Sequence, residues 1–278
     1  DVFDSVFKYH NPLRMSPSKR TEWSKGLEIK ELPSVGKTRI LYFVCCSPSY
    51  DARNQEIARS VAQILRKVGN DFATLGNEEW CCGDHILRLG EKGLFEELAE
   101  HNMSLFKKYD FDSVVTLSPH CYYAFKNEKP YADIRINVQH YTQYLSEAIE
   151  NGKLKPTKAV EKKVTYHDPC FLGKRSKVYD EPRKILKSIP GLELVEMKRS
   201  RENSFCCGGG AGRVWTEEAT PENRPCVDRV REALELEVEV VTTSCPFCVT
   251  TLEDAVKVLD AEDRIVVRDI SELLMEAL

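Results

Sequence analysis

Nine of the eleven cysteines in this 278-residue chain fall into two groups with the same internal order. The second group is Cys170, then Cys206-Cys207 after 35 intervening residues, then Cys245-Pro246-Phe247-Cys248 after 37 more. The first is Cys46, then Cys81-Cys82 after 34 residues, then Cys121, with Ser118 standing where Cys245 stands in the second. An odd cysteine count argues against a closed set of disulfides, and nothing in the sequence points to secretion. Patterned thiols in such a chain bind metal or do redox chemistry. A structural zinc ion takes four ligands, commonly from two Cys-x-x-Cys knuckles, and each group here has at most one. The adjacent side chains of Cys206 and Cys207 diverge and fit poorly on one small ion, but they can reach different irons of a cluster. Five thiols exceed what a single cubane needs. An iron–sulfur cluster is therefore the expectation at Cys170, Cys206, Cys207, Cys245 and Cys248. A metal-free dithiol would account for Cys245 and Cys248 but leaves the other three unexplained.

The first group has four thiols, Cys46, Cys81, Cys82 and Cys121, enough for one cubane, and zinc is more plausible here because the count is four. Cys45 reads as a buried strand residue; were it the ligand in place of Cys46, the alignment of the two groups would shift by one. Cys226 reads as a small buried hydrophobe. His167 and His120 flank ligand cysteines. His120 is expected to be a packed imidazole, and His167 to hydrogen-bond a sulfur or supply a proton, which would tune the centre. Gly208-Gly209-Gly210-Ala211-Gly212 lacks a following Gly-Lys-Ser/Thr and the strand context of a dinucleotide fingerprint. Gly208 and Gly209 are expected instead to let backbone approach the cofactor closely.

These residues sit in a β-α alternation. Strands are expected at 39–46, 72–75, 113–117, 134–138, 163–166, 193–196, 239–243 and 264–267. Helices are expected at 55–68, 94–109, 141–149, 182–189, 226–235, 249–259 and 270–278. The cysteines then fall at the carboxyl ends of strands or in loops just beyond, the rim where open α/β sheets bind ligands. The order of elements repeats after about 120 residues, too long for a solenoid unit. The pattern describes an α/β fold of two similar Rossmann-like subdomains from an internal duplication, 36–155 and 156–278. Residues 1–35, polar and punctuated by proline, read as a connector with a short helical piece near Pro17–Gly26.

Apolar content of 42% and charged content of 30% are ordinary for a globular chain. A net charge of −4 gives no basis for nucleic-acid binding. No stretch reaches the length of a membrane span. The start, Asp1-Val2-Phe3-Asp4, has no initiator Met and no signal-peptide pattern, so a processed piece or fragment is expected.

The repeated order Cys, Cys-Cys-Gly, Cys-Pro-x-Cys resembles the cysteine-rich CCG-domain family. The matching stretches are LYFVCCSPSY at 41–50, WCCGD at 80–84, YHDPCFLG at 166–173, RENSFCCGGG at 201–210 and SCPFC at 244–248. Best-known members are the B-type and D-type components of heterodisulfide reductase and iron–sulfur components of respiratory and lactate- or glycolate-oxidising enzymes. The wording around Cys170 and Cys206 is most similar to the D-type branch, which includes a component of a sulfite-reduction-linked membrane complex. In the B-type proteins each five-cysteine motif binds a non-cubane 4Fe-4S cluster that cleaves a disulfide. The resemblance implies such a cluster on Cys170, Cys206, Cys207, Cys245 and Cys248. It implies a second site on Cys46, Cys81, Cys82 and Cys121, where Ser118 leaves the motif incomplete and a relay cubane, zinc or no cluster is expected.

The chemistry implied is reduction of a disulfide on a thiol cofactor or a carrier protein. Electrons would come from other subunits of ferredoxin, haem or flavin type. The alternatives are a non-catalytic electron-transfer subunit and a lactate- or glycolate-type component. Longer relatives carry an upstream ferredoxin module, which is either missing from this piece or supplied by another subunit. The expected location is cytoplasmic, or peripheral on the inner face of a membrane complex.

Overall fold

Short apolar runs become central parallel strands here, because a strand covered on both faces has no polar face to alternate. A computed structural model describes residues 1–278 except 70, 217–219 and 221–222. The chain folds as two compact units, Asp1–Tyr141 and Thr142–Leu278.

In unit 1 the strands are β1 (Lys30–Glu31), β2 (Ile40–Phe43), β3 (Phe72–Thr74), β4 (Ser113–Thr116) and β5 (Val138–His140). In unit 2 they are β6 (Lys162–Tyr166), β7 (Leu192–Leu194), β8 (Val240–Thr243) and β9 (Val266–Asp269). Every pairing among them is parallel. The sheet orders are β1-β3-β2-β4-β5 and β7-β6-β8-β9. Leaving out the edge strand β1, both orders run second, first, third, fourth strand. Each sheet therefore reverses its winding between its first and third strands, β2/β4 and β6/β8. That switch point opens a crevice at the carboxyl ends, the usual ligand position in doubly wound sheets. Both units are thus Rossmann-like α/β folds of one topology, as the duplication requires.

The helices are α1 (Val2–Tyr9), α2 (Leu32–Val35), α3 (Cys46–Tyr50), α4 (Ala52–Lys67), α5 (Asp84–Arg88), α6 (Lys92–Lys108), α7 (Pro119–Asn127), α8 (Tyr141–Glu150), α9 (Asp180–Ser188), α10 (Pro225–Leu234), α11 (Pro246–Val258) and α12 (Ile270–Ala277). Leu41, Tyr42 and Phe43 of β2 and Val164 and Tyr166 of β6 have no exposed surface. They form the centre of each core, with Ile57, Val61, Ile64 and Leu65 of α4 buried in unit 1 as well.

Several local expectations shift, among them the strand expected at 39–46, which ends at Phe43 before Cys46 opens α3, and the strand expected at 264–267, which forms at 266–269. The strand expected at 134–138 forms at β5, 138–140. Ile134 and Ile136 alternate like a strand but stay only half-buried after the turn at Tyr131–Asp133, and the ladder with β4 starts at Val138. The helix expected from Val249 begins at Pro246, whose fixed φ suits a first helical position. Residues 1–35, expected as a connector with a short helical piece near 17–26, have short turns at Pro17–Lys19 and Glu22–Ser24 and also hold α1. Asp1 caps α1 and Asp4 closes the capping box, and Val6 packs with Cys46, Cys81, Ile86 and Leu98. Among the described residues no helix is long and apolar enough to cross a membrane.

Candidate functional site

In unit 2, β6 ends at Tyr166 and delivers His167, Asp168 and Cys170 to the switch point. β8 ends at Thr243 and delivers Cys245, which stands just before α11 with Cys248 in the helix's first turn. Cys206 and Cys207 arrive from the loop behind the turn at Arg201–Asn203. The five thiols make one connected chain of contacts. Cys170 meets Cys206 at 3.8 Å, Cys207 meets Cys248 at 3.4 Å, Cys206 adjoins Cys207, and Cys248 adjoins Cys245. Adjacent Cys206 and Cys207 reach opposite neighbours, as their diverging side chains require. Contacts with the Cys170 and Cys207 thiols hold the Cys206 thiol well below the ordinary thiol range. The Gly208 N–H also donates to Cys206 Sγ at 3.3 Å. The first turn of α11 adds its positive end. Cys206 is exposed and Cys170 half-buried, whereas Cys207, Cys245 and Cys248 are buried.

Gly208 adopts φ 80, the left-handed conformation that favours glycine. Gly209 is held by packing: a Cβ there would stand 2.1 Å from Thr251 Oγ1. The close approaches at these two glycines are to protein atoms, Pro225 for Gly208 and Thr251 for Gly209.

His167 is fully buried, and one of its ring nitrogens lies within 4.8 Å of the Cys207 and Cys248 thiols. Arg229 Nε donates to His167 Nδ1 at 3.1 Å. A guanidinium only donates, so Nδ1 accepts and the ring proton sits on Nε2. Burial, reinforced by Arg229, lowers the His167 pKa to about 3. His167 is therefore neutral, and its Nε2–H makes no hydrogen bond among the described residues, so the bond to sulfur expected of it is not seen. Arg229 is itself fully buried and its other arm is held by Glu232 at 2.8 Å. Beneath the site, Asp168 accepts from both arms of Arg183 at 2.7 and 2.9 Å and from the Arg201 N–H at 2.8 Å.

Unit 1 repeats the arrangement at β2/β4. Cys82 follows Cys81 in a loop, and Gly83 (φ 81) donates its N–H to Cys81 Sγ at 3.4 Å. Cys121 occupies the first turn of α7, as Cys248 does in α11, and Ser118 is the cap as Cys245 is there. Cys46 adjoins Cys81, Cys81 adjoins Cys82, and Cys82 adjoins Cys121. The hydrogen bond from Cys121 lowers the Cys82 pKa to about 7. All these thiols are buried. His120 is packed as expected, with Nδ1 donating to Asp84 Oδ2 at 2.7 Å. Residues 1–35 also reach this group: Arg20, 3% exposed, donates to Cys46 Sγ at 3.4 Å and to Glu79 Oε1 at 2.6 Å. Arg20, Glu79, Arg183 and Arg229 carry no sequence signal, because motif spacing does not reveal their partners.

The donor set of unit 2 suits a multi-iron cluster. A tetrahedral zinc ion is complete with four thiolates, and this chain of contacts offers five. Anionic sulfur is met by the positive end of α11 and by the aimed Gly208 N–H.

The model of the cysteine-rich domain family named CCG matches residues 40–126 and again 164–253. The protein named "Probable iron-sulfur-binding oxidoreductase FadF" of Bacillus subtilis is 42% identical over 98% of this chain and 40% of its own length. The EtfAB:quinone oxidoreductase of Syntrophomonas wolfei is 36% identical over 100% of this chain and 40% of its own length. The D component of the dihydromethanophenazine:CoB–CoM heterodisulfide reductase of Methanosarcina barkeri is 36% identical over 98% of this chain and 66% of its own length. The chain thus spans less than half the length of the first two relatives. Two matched copies of the domain, each with its thiols gathered at a switch point, place the chain in the cysteine-rich CCG-domain family.

Proposed function

We propose that this chain is the iron–sulfur part of an oxidoreductase complex, with its reactive centre in unit 2 and an electron relay in unit 1. The observation that carries this is the difference in exposure between two otherwise matching thiol groups. Cys206 is exposed and Cys170 half-buried, while Cys46, Cys81, Cys82 and Cys121 are all buried. Only the second group lets a substrate sulfur approach.

A 4Fe-4S cluster held by Cys170, Cys206, Cys207, Cys245 and Cys248, of non-cubane type, would supply electrons one at a time to a disulfide that needs two. The residues around it prepare the site for that task. Cys206 presents its thiolate at the surface. His167, held in place by Arg229, stands beside Cys207 and Cys248 on the buried side. Asp168, clamped by Arg183, braces the turn that carries Cys170. Low dielectric strengthens each of these interactions. The substrate class is a disulfide on a thiol cofactor or on a carrier protein, in keeping with the heterodisulfide reductase relative. The donor is another electron-transfer subunit of ferredoxin, haem or flavin type, and the assembly is peripheral to a membrane.

A second reading is favoured by the Syntrophomonas relative, whose name couples EtfAB to a quinone. There both centres would only pass electrons between a flavin partner and a quinone. Adding small thiols to the oxidised, anaerobically purified protein separates the two. The disulfide-reducing site predicts a new paramagnetic signal that disappears in Cys206→Ser and persists in Cys81→Ser. Iron present with no response to any thiol favours the relay reading and contradicts the first.

A further inference from the structure

Among the described non-glycine residues of unit 1, Cys45 has the largest positive φ. Its φ is 74 and its ψ 169, a region occupied almost only by glycine. A side chain held there needs support on both sides, and Cys45 has it. Its N–H donates to Glu79 Oε1 at 3.0 Å, and its carbonyl accepts from Ser49 Oγ at 2.6 Å. Glu79 also receives the Val44 N–H at 3.1 Å and is fixed by Arg20. If Cys45 were only a small buried hydrophobe, glycine would meet the same backbone without strain.

The strained turn has a consequence for the thiols. In an extended chain, neighbouring side chains point to opposite faces. The turn at Cys45 brings two neighbours to one group: Cys46 adjoins Cys81, and Cys45 adjoins Cys121. The contact order in unit 1 is therefore Cys46, Cys81, Cys82, Cys121, Cys45. In unit 2 it is Cys170, Cys206, Cys207, Cys248, Cys245. Cys45 closes the first chain where Cys245 closes the second. The position matching Cys45 in unit 2 is Pro169, which has no thiol, and the position matching Cys245 in unit 1 is Ser118. The Ser118 hydroxyl is engaged as the α7 cap, accepting the His120 N–H at 3.2 Å. Cys245 makes no such cap bond. The Cys45 thiol, 3% exposed, also lies 3.5 Å from the Phe43 carbonyl.

We infer that Cys45 is the fifth ligand thiol of the first centre, moved from the helix cap to the end of the neighbouring strand, so that both units hold their clusters with five thiols. This deepens the iron–sulfur reading above and rests on it. The difference between the centres is then one of access, not of ligand count.

Cys45→Gly tests this in the full chain, because it removes the thiol while relieving the backbone. Iron, acid-labile sulfide and frozen-solution spectra of the anaerobic protein are compared with wild type. The expected result is loss of about half the iron and sulfide, or a changed spectrum of the buried centre, with the thiol-induced signal of unit 2 retained. Adding Ser118→Cys to Cys45→Gly returns a thiol to the cap and should restore the lost iron. Unchanged iron, sulfide and spectra in Cys45→Gly overturn the inference while leaving the iron–sulfur reading intact. If Cys45→Gly loses all iron, the double variant decides: recovery supports the assignment and no recovery overturns it. Zinc without sulfide in the wild-type protein overturns both.

Discussion

Glu79→Ala is expected to destabilise unit 1 by about 5 kcal/mol, the upper end of the range for breaking a buried ion pair. Glu79 and Arg20 are each 3% exposed and their nearest charged atoms are 2.6 Å apart. Alanine leaves the Arg20 charge buried beside Cys46 Sγ and the Tyr50 ring. It also leaves the Val44 and Cys45 N–H groups without that acceptor, each costing about 1–3 kcal/mol when buried. The costs overlap, so they do not simply add. Domain stabilities are about 5–15 kcal/mol, so the variant unit should be marginal. Denaturant unfolding of wild type and variant checks this; a loss under about 1 kcal/mol would show that the pair contributes little, as exposed pairs do. Glu79→Gln keeps one acceptor for these N–H groups and should lose less.

Asp168→Ala is expected to cost unit 2 about 3 kcal/mol, nearer the lower end of the same range. Arg183 would lose a two-armed acceptor at 2.7 and 2.9 Å, but Glu196 still accepts from it at 2.6 Å. The Arg201 N–H loses its acceptor as well. Since Arg201 opens the turn leading to Cys206, the variant should also hold its metal less tightly. The paired readout is unfolding free energy and iron retention under a chelator. Lost stability with unchanged retention would confine Asp168 to the fold and remove it from the site.

The thiol groups, the duplication and the α/β alternation are legible in the sequence, since all are local patterns. Strand ends place the cysteines at the rim, and the sheet orders agree. The supporting charges are not legible, because Arg20 meets Glu79 across 59 residues and Arg229 meets His167 across 62. Nothing in spacing or composition announces such pairs. Cys45 misleads for a different reason. Beside Cys46 at the end of an apolar run it looks like one more strand residue, and only its positive φ turns it toward Cys121. Helix α1 escapes notice because its signal is brief: an Asp1 cap followed by Val2, Phe3 and Val6 on one face. The strand at β5 is displaced because an alternating run does not show where its partner strand begins.

Metal and acid-labile sulfide analysis of anaerobically purified protein tests most directly whether the two thiol groups hold iron–sulfur clusters. Iron and sulfide are expected in equal amounts, about four of each per centre, with about half of both lost in Cys207→Ser. Stoichiometric zinc with no sulfide would contradict clusters in either unit.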